Sequence, residues 1–160
     1  TALEEYLAFA RGRHGEETER VDLSALLADV AAAASRDRSG LIAEIPDRLV
    51  VEGRAGALKR AVSNLVENAL AHGDHVRLTA RRLGRRVEIA VDDDGPGIPE
   101  ASREEAFKPF SRLDEARNAN RKGVGLGLAI ARDAARSHGG DVVLETSEMG
   151  GLRAVVTLPR

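Results

Sequence analysis

The chain has 160 residues, of which 42% are hydrophobic and 31% charged, and its formal net charge is −2. These values indicate a soluble globular protein with one principal domain, and the charge argues against a nucleic-acid binder that depends on phosphate contacts. Because aromatic residues make up only 2% of the chain, leucine, valine, isoleucine and alanine must fill the core. The lack of cysteine excludes thiolate metal sites and is typical of the cytoplasm. No apolar run approaches the roughly 18 residues of a membrane span.

The first 20 residues are predicted to lie outside the main domain. In residues 1–11, apolar side chains share one helical stripe, which is typical of the end of a longer helix. Residues 12–20 are polar and contain two glycines, as expected for a linker. Because Thr1 already lies in the helical pattern, we expect the chain to be a piece of a longer protein whose main domain here is 21–160.

Alternating patterns in the main domain predict a two-layer α/β sandwich. Apolar residues at helical spacing predict helices at 22–36, 54–71, 100–106 and 123–138. Strands are predicted at 41–45, 49–52, 141–146 and 152–158, and residues 75–93 should form a hairpin that turns at Gly84. Helices should then cover one face of a mixed sheet, leaving the other face more polar.

The most informative stretch is 87–98, VEIAVDDDGPGI. Its alternating apolar residues predict a strand that ends in three aspartates. Gly95 and Gly97 follow on either side of a proline, so carboxylates lie beside backbone that has little side-chain bulk. This edge of the sheet is predicted to accept a flat ligand.

Two asparagines, Asn64 and Asn68, lie one turn apart on the helix predicted at 54–71. They share a face beside the apolar stripe. Amide oxygens can bind Mg²⁺, which takes one or two protein oxygens and completes its shell with phosphates and water. Considered alone, two solvated surface asparagines are the simpler interpretation.

A glycine-rich segment, KGVGLGLAI, opens the helix predicted at 123–138. Uncrowded N–H groups and the positive end of the helix dipole favour phosphate binding. The spacing of Gly123, Gly125 and Gly127 fits neither the dinucleotide fingerprint nor the lysine-containing phosphate loop. Such helix starts are structural turns about as often as they are ligand sites.

The order of these segments resembles one protein family. AVSNLVENA, DDDGPGIPE, FKPFSRLDEAR and GLGLAIARD occur in succession. Together they resemble the ATP-binding catalytic domain of sensor histidine kinases, in the superfamily shared with gyrase, MutL and heat-shock chaperone ATPases, and are most similar to EnvZ-type osmosensor kinases. The resemblance covers the chain after about Arg20 and implies the Bergerat-type ATP-binding fold.

The resemblance implies a role for each segment at an Mg·ATP site. Asp94 is assigned as the aspartate of the family's DxGxG motif, whose carboxylate accepts a hydrogen bond from the adenine amine, and Asp92 and Asp93 as polar residues of the strand end. Asn68 is implied as the Mg²⁺ ligand, while Asn64 and Arg112 are implied as catalytic residues at the phosphates. The full set of implied nucleotide-binding residues is Asn64, Asn68, His72, Asp94, Gly95, Gly97, Ile98, Phe110, Arg112, Lys122, Gly123, Val124, Gly125, Leu126, Gly127 and Leu128.

Two positions bear on the reaction. The hydrolytic relatives have a glutamate where this chain has Asn64, and an amide has no basicity with which to activate water, so transfer is favoured over hydrolysis. The family often has a lysine or arginine where this chain has Ala71. The affinity for phosphate would then depend on His72 or on later cations such as Arg112 and Lys122.

The implied function is the catalytic domain of a two-component kinase that passes the γ-phosphoryl of ATP to a histidine on a dimerisation domain. None of the four histidines of this chain has the acceptor's sequence context, so the chain alone should lack autophosphorylation. The implied partners are the dimerisation helices and a response regulator, in a homodimeric inner-membrane sensor whose cytoplasmic domain this is, with no nucleic-acid partner and no membrane contact by this part. The alternatives are a gyrase- or chaperone-like ATPase and a nucleotide-binding regulatory module without turnover.

Overall fold

The structure, a computed structural model, describes residues 17–36, 39–108 and 127–160. Its helices are α1 Leu23–Ala34, α2 Ala55–His72, α3 Arg103–Ala106, which follows the 3₁₀ turn Glu100–Ser102, and α4 Gly127–Ser137. Its strands are β1 Glu19–Asp22, β2 Leu41–Glu44, β3 Val50–Gly53, β4 Val76–Leu83, β5 Arg86–Asp93, β6 Asp141–Thr146 and β7 Leu152–Pro159. The predictions for residues 1–16 and 109–126 lie outside the described residues.

The five-stranded sheet has the order β2-β4-β5-β7-β6. Strand β2 is parallel to β4, and the other neighbours are antiparallel, so the predicted mixed sheet is confirmed. Val87, Ile89 and Val91 on β5 are buried in one core cluster with apolar residues of α1, α2 and α4. The opposite face carries ion pairs such as Arg81 with Glu88, which fits the prediction that this face is more polar.

Strand β1 begins within the stretch that the sequence predicts to be a linker. Glu19 and Arg20, which were predicted to belong to the linker at 12–20, pair with Gly53 and Glu52 of β3 in a separate two-stranded sheet. Only Val21 of β1 is buried, so the strand has no apolar alternation by which the sequence could reveal it. Main-chain pairing with β3 forms the strand instead.

The hairpin of β4 and β5 places the acidic residues at one end of the sheet. Gly84 turns the hairpin with a φ of 60°, in the left-handed region that favours glycine. Side chains alternate between faces along β5, so Asp93 lies on the face of the buried Val87, Ile89 and Val91, toward the helices. Asp92 lies on the opposite face.

His138 joins the end of α4 to the start of α2. Its Nδ1–H donates to the Ala134 carbonyl at 2.6 Å, and its Nε2 accepts the Arg54 main-chain N–H at 3.0 Å. Arg54 precedes α2 and makes no side-chain capping bond to that helix. The imidazole therefore satisfies a main-chain donor at the start of the helix that carries both asparagines.

Replacing His138 with phenylalanine should lower the free energy of unfolding by about 1–3 kcal/mol. Phenylalanine keeps the ring bulk but leaves the partly buried Arg54 N–H without an acceptor. Urea denaturation of His138→Phe and wild type measures the difference, and His138→Gln, which offers an amide oxygen, should lose less. Equal unfolding midpoints and slopes for all three proteins would contradict this role.

Candidate functional site

The end of α2 and the acidic loop after β5 are in close contact. A Cβ added at Gly95 would clash with the main-chain oxygen of His72, and one added at Gly73 would lie 2.7 Å from Asp94 Oδ1. Gly97 has a φ of 72°, which a side chain would strain. The glycines therefore allow the loop to lie directly against the helix that carries Asn64 and Asn68.

Both carboxylate oxygens of Asp94 bind the turn that follows α2. Its Oδ1 accepts the main-chain N–H groups of Asp74 at 2.8 Å and His75 at 3.0 Å, and its Oδ2 lies 2.7 Å from His75 Nδ1. The main-chain N–H of His75, followed by its ring, lowers the pKa of Asp94 below the usual value for an aspartate. Asp94 thus fastens the acidic loop to the end of α2.

The lowered pKa of Asp94 predicts an acid-sensitive contribution to folding. A carboxyl whose pKa is lower in the folded state stabilises the fold above its unfolded pKa of about 3.9. That stability is lost as the pH falls through the folded-state pKa. Carboxyl NMR titration should place the Asp94 midpoint below that of exposed aspartates, and replacing His75 with alanine should raise it. A midpoint at the ordinary value in both proteins would contradict the described hydrogen bonds.

Asp93 lies one residue earlier and is 1% exposed. Its Oδ1 accepts the main-chain N–H groups of Gly95 at 2.9 Å and Leu152 at 3.1 Å. Counted back from Gly95 and Gly97, the aspartate of a DxGxG motif is Asp93 and not Asp94. The assignment of the motif to Asp94 was therefore wrong by one residue in its spacing, because three consecutive aspartates precede the glycines.

Asp92 fits the structural role predicted for it. On the sheet face away from the helices, it accepts hydrogen bonds from Ser147 Oγ at 2.7 Å and Arg153 Nη1 at 2.8 Å. Both oxygens are therefore occupied, and Asp92 is 3% exposed.

The turn between β6 and β7, residues 147–151, is a part of the site that sequence reasoning missed. Gly151 N–H donates to the Asp93 carbonyl at 3.1 Å, and a Cβ at Gly151 would lie 2.6 Å from the Gly95 nitrogen. The pair Gly150–Gly151 is visible in the sequence. It indicates a turn but cannot reveal that the turn packs against a loop more than 50 residues away.

The two asparagines lie where the start of α4 meets α2. Both are half-buried, and a Cβ at Gly127 would lie 3.8 Å from the Cβ and the carbonyl oxygen of Asn64. The side-chain amides of Asn64 and Asn68 make no hydrogen bond within the described ranges. The structure therefore brings the asparagine face of α2 beside the N-terminus of α4.

The other described site residues flank this region. His72 Nδ1–H donates to the Asn68 carbonyl at 2.7 Å, so the ring lies on the last turn of α2. Ile98 is buried, and its carbonyl accepts a hydrogen bond from Arg103 Nε at 3.1 Å. Leu128 is a core residue. The predictions for Phe110, Arg112, Lys122, Gly123, Val124, Gly125 and Leu126 lie outside the described residues.

Helix α3 is fastened to α4 through Arg132. Its guanidinium lies 3.8 Å from the centroid of the Phe107 ring and pairs with Glu104 at 2.8 Å and Asp141 at 3.0 Å. The Arg132 guanidinium lowers the pKa of Glu104. This cluster fixes Phe107, the first residue of FKPFSRLDEAR, against α4.

Comparison with known proteins settles the family. A family model described as histidine kinase-, DNA gyrase B- and HSP90-like ATPase matches residues 53–160. The chain belongs to this family. Membership in this ATPase family supports the use of ATP, and the resemblance drawn from the four sequence segments is confirmed.

Individual members of the family are similar over most of the chain. The sensor histidine kinase GtrS of Pseudomonas aeruginosa is 40% identical over 153 residues, which cover 91% of this chain and 30% of GtrS. The ATP-binding domain of PrrB from Mycobacterium tuberculosis has a TM-score of 0.72 at 34% identity, covering 90% of this chain and 98% of that domain. The histidine kinase domain of the Escherichia coli osmosensor EnvZ has a TM-score of 0.69 at 38% identity, covering 91% of each chain. These likenesses confirm the predicted α/β fold.

Among the helices that the structure describes, none combines the length and the apolar character needed to cross a membrane.

Proposed function

We propose that this chain is the catalytic domain of a two-component sensor histidine kinase. It binds Mg·ATP and transfers the γ-phosphoryl to a histidine on a separate dimerisation domain. The observation that carries the proposal is the convergence of the acidic loop, the asparagine face of α2 and the start of α4, together with the similarity to GtrS, PrrB and EnvZ.

Asp93 is the better candidate for the adenine contact. It lies on the helix-facing side of the sheet, and its Oδ1 is held by two N–H groups. Its Oδ2 accepts no hydrogen bond from any residue described, so that oxygen can take one from the adenine amine. A carboxylate only accepts hydrogen bonds and would face guanine O6 badly in the same pose. An adenine contact by Asp94 stays a prediction, but the oxygens of Asp94 are used by Asp74 and His75.

The residues present fit Mg²⁺ that is held jointly with phosphates. In the described ranges, no group of three or more histidine, cysteine or acidic side chains is arranged to hold a metal. The Asn68 amide is half-buried and makes no hydrogen bond there, and Mg²⁺ needs only one or two protein oxygens when phosphates supply others. Asn68 would hold the ion, which would neutralise charge on the phosphates. The N–H groups at the start of α4 would present the positive end of the helix dipole to the phosphates.

Asn64 favours transfer over hydrolysis. Its amide lies beside the start of α4 and cannot remove a proton from water. An imidazole nitrogen attacks with its own lone pair: the new bond joins nitrogen to the γ-phosphorus, and the bond from that phosphorus to the bridging oxygen breaks. ADP leaves with those electrons. The chain's own task is to hold the phosphates in line for this attack.

Removing Asn68 should abolish most of the gain in ATP affinity that Mg²⁺ provides. Asn68→Ala is expected to reduce this gain by about tenfold or more, because the ion loses its protein oxygen. Calorimetric titrations with a non-hydrolysable ATP analogue, in Mg²⁺ and in EDTA, measure the gain. Asn64→Ala is a matched control on the same helix face and should retain it; an undiminished gain in Asn68→Ala would rule out the proposed ligand.

Three functions are separated by one labelling experiment. The chain is incubated with γ-labelled ATP and Mg²⁺, with and without the dimerisation domain of the same kinase. Acid-labile label on a histidine of that domain supports the kinase. Steady release of inorganic phosphate by the chain alone supports the ATPase alternative. Nucleotide binding without either outcome supports a regulatory module. This alternative is considered because Ala71 leaves α2 without a cation at a position where the family often has a lysine or arginine.

The similarity to sensor histidine kinases supports a proposal for the wider setting of this domain. The chain spans 30% of GtrS, and we propose that sensing and dimerisation are functions of other domains of a longer protein. We place this domain in the cytoplasm, in a homodimeric membrane sensor that signals to a response regulator.

A further inference from the structure

Two neighbouring aspartates at the end of β5 point to opposite faces of the sheet. Asp93 faces the helices and the proposed nucleotide, whereas Asp92 is buried on the other face. A buried carboxylate is tolerated only where its hydrogen bonds are satisfied. The partners of Asp92 therefore determine where this end of the strand can lie.

Asp92 is held from two elements. Ser147 Oγ donates to its Oδ1 at 2.7 Å, and Arg153 Nη1 donates to its Oδ2 at 2.8 Å. Arg153 lies directly opposite Asp92 in the register of β5 and β7. Ser147 is itself buried, and its Oγ also accepts the Met149 N–H at 3.0 Å. The serine hydroxyl thus links Asp92 to the turn at 147–151.

The same turn holds Asp93. Ser147 N–H donates to the Gly151 carbonyl at 2.8 Å, and Gly151 N–H donates to the Asp93 carbonyl at 3.1 Å. The next N–H, of Leu152, donates to Asp93 Oδ1 at 3.1 Å. Because even one methyl group at Gly151 would clash with that carboxylate, a shift of the turn must move Asp93.

We propose that Ser147 and Arg153 are positioning residues for adenine recognition. Through Asp92 they hold the turn at 147–151, and the N–H groups of that turn orient the Asp93 carboxylate. The inference rests on the proposed function, since it concerns the same base contact. Neither residue touches the base. Each acts by fixing the orientation of Asp93 and therefore of its Oδ2. Hydrogen-bond strength depends steeply on that orientation.

The test compares two nucleotides that differ by one amine. ATP and purine riboside triphosphate, which lacks the exocyclic amine, are titrated calorimetrically with Mg²⁺ into each variant of the chain. In wild type, ATP should bind about tenfold or more tightly than the analogue, as expected for a hydrogen bond to a charged acceptor. In Ser147→Ala and Arg153→Met this ratio should fall several-fold toward one, with little change for the analogue itself.

Two further variants separate positioning from stability. Ser147→Thr keeps a hydroxyl and should therefore keep the wild-type ratio of the two affinities. Arg81→Met removes an ion pair with Glu88 on the same sheet face but does not touch Asp92, and it should leave the ratio at its wild-type value. A loss of folded protein lowers the number of binding sites and leaves the ratio unchanged, so melting alone cannot imitate the expected result.

The outcomes are distinct. If wild type prefers ATP and both variants keep that preference, Ser147 and Arg153 are structural only and the inference is overturned. If wild type binds both nucleotides equally, the adenine contact of Asp93 fails and the inference falls with it. If wild type binds neither, the proposed function itself fails. Should Ser147→Ala not fold, Arg153→Lys, which keeps a cation but loses the planar fork, carries the same test.

Discussion

Replacing Asp93 with asparagine is expected to weaken Mg·ATP binding by roughly 10- to 100-fold while the domain stays folded. The amide oxygen can still accept the N–H groups of Gly95 and Leu152 that now reach Oδ1. The amide nitrogen, however, brings a donor to the position where the adenine amine also donates. Calorimetric titration with a non-hydrolysable ATP analogue measures the loss, and thermal melting checks the fold.

Asp94→Asn is the matched control for this substitution. Asp94 serves the turn at 74–75, so its replacement should change ATP affinity by no more than about threefold, well below the cost of a lost charged hydrogen bond. At neutral pH, Asp94→Asn should lower the melting temperature of the domain while leaving ATP affinity nearly unchanged. If Asp94→Asn abolishes binding while Asp93→Asn does not, the adenine contact belongs to Asp94 and the assignment to Asp93 is wrong.

Gly151→Ala should weaken ATP binding at least as much as Asp93→Asn does, and it should also destabilise the fold. The added methyl would clash with Asp93 Oδ1 and lie 2.6 Å from the Gly95 nitrogen. The carboxylate and the acidic loop must therefore move. We expect ATP binding to fall by roughly 100-fold or more and the free energy of unfolding to fall by about 2–4 kcal/mol, as for other overpacked sites.

Gly150→Ala tests the same turn without the clash. Gly150 has a φ of 101°, but a Cβ there meets nothing within 4 Å. Alanine should therefore cost about 1–2 kcal/mol of backbone strain and leave ATP affinity nearly unchanged. Equal binding losses in Gly150→Ala and Gly151→Ala would mean that turn strain, rather than contact with Asp93, controls the site.

The sheet and the main helices could be predicted because burial leaves a periodic trace in the sequence. Val87, Ile89 and Val91 alternate along β5, and α2 carries a regular apolar stripe. Strand β1 has a single buried residue, Val21, and its pairing with β3 depends on main-chain hydrogen bonds that have no periodic signal. The sequence pattern therefore gives no sign that β1 begins at Glu19, within the stretch predicted to be a linker.

Part of the candidate site was also predictable, and one error in it was avoidable. Asp93 continues the odd-numbered, helix-facing positions of β5, so strand parity alone separates it from Asp92. Asp94 follows the strand, where parity no longer applies. The contacts of Ser147, Gly151 and Arg153 with the strand end depend on the packing of β7 beside β5. A single sequence offers no local pattern for such long-range contacts.

The most direct test of the central claim is a titration of the wild-type chain with a non-hydrolysable ATP analogue in Mg²⁺, followed by the same titration with the matching GTP analogue. The proposed site predicts saturable binding of one ATP analogue per chain below millimolar concentration, and markedly weaker binding of the GTP analogue. An absence of binding heat at millimolar ATP analogue, confirmed at a second temperature, would contradict the assignment of this region as an ATP site.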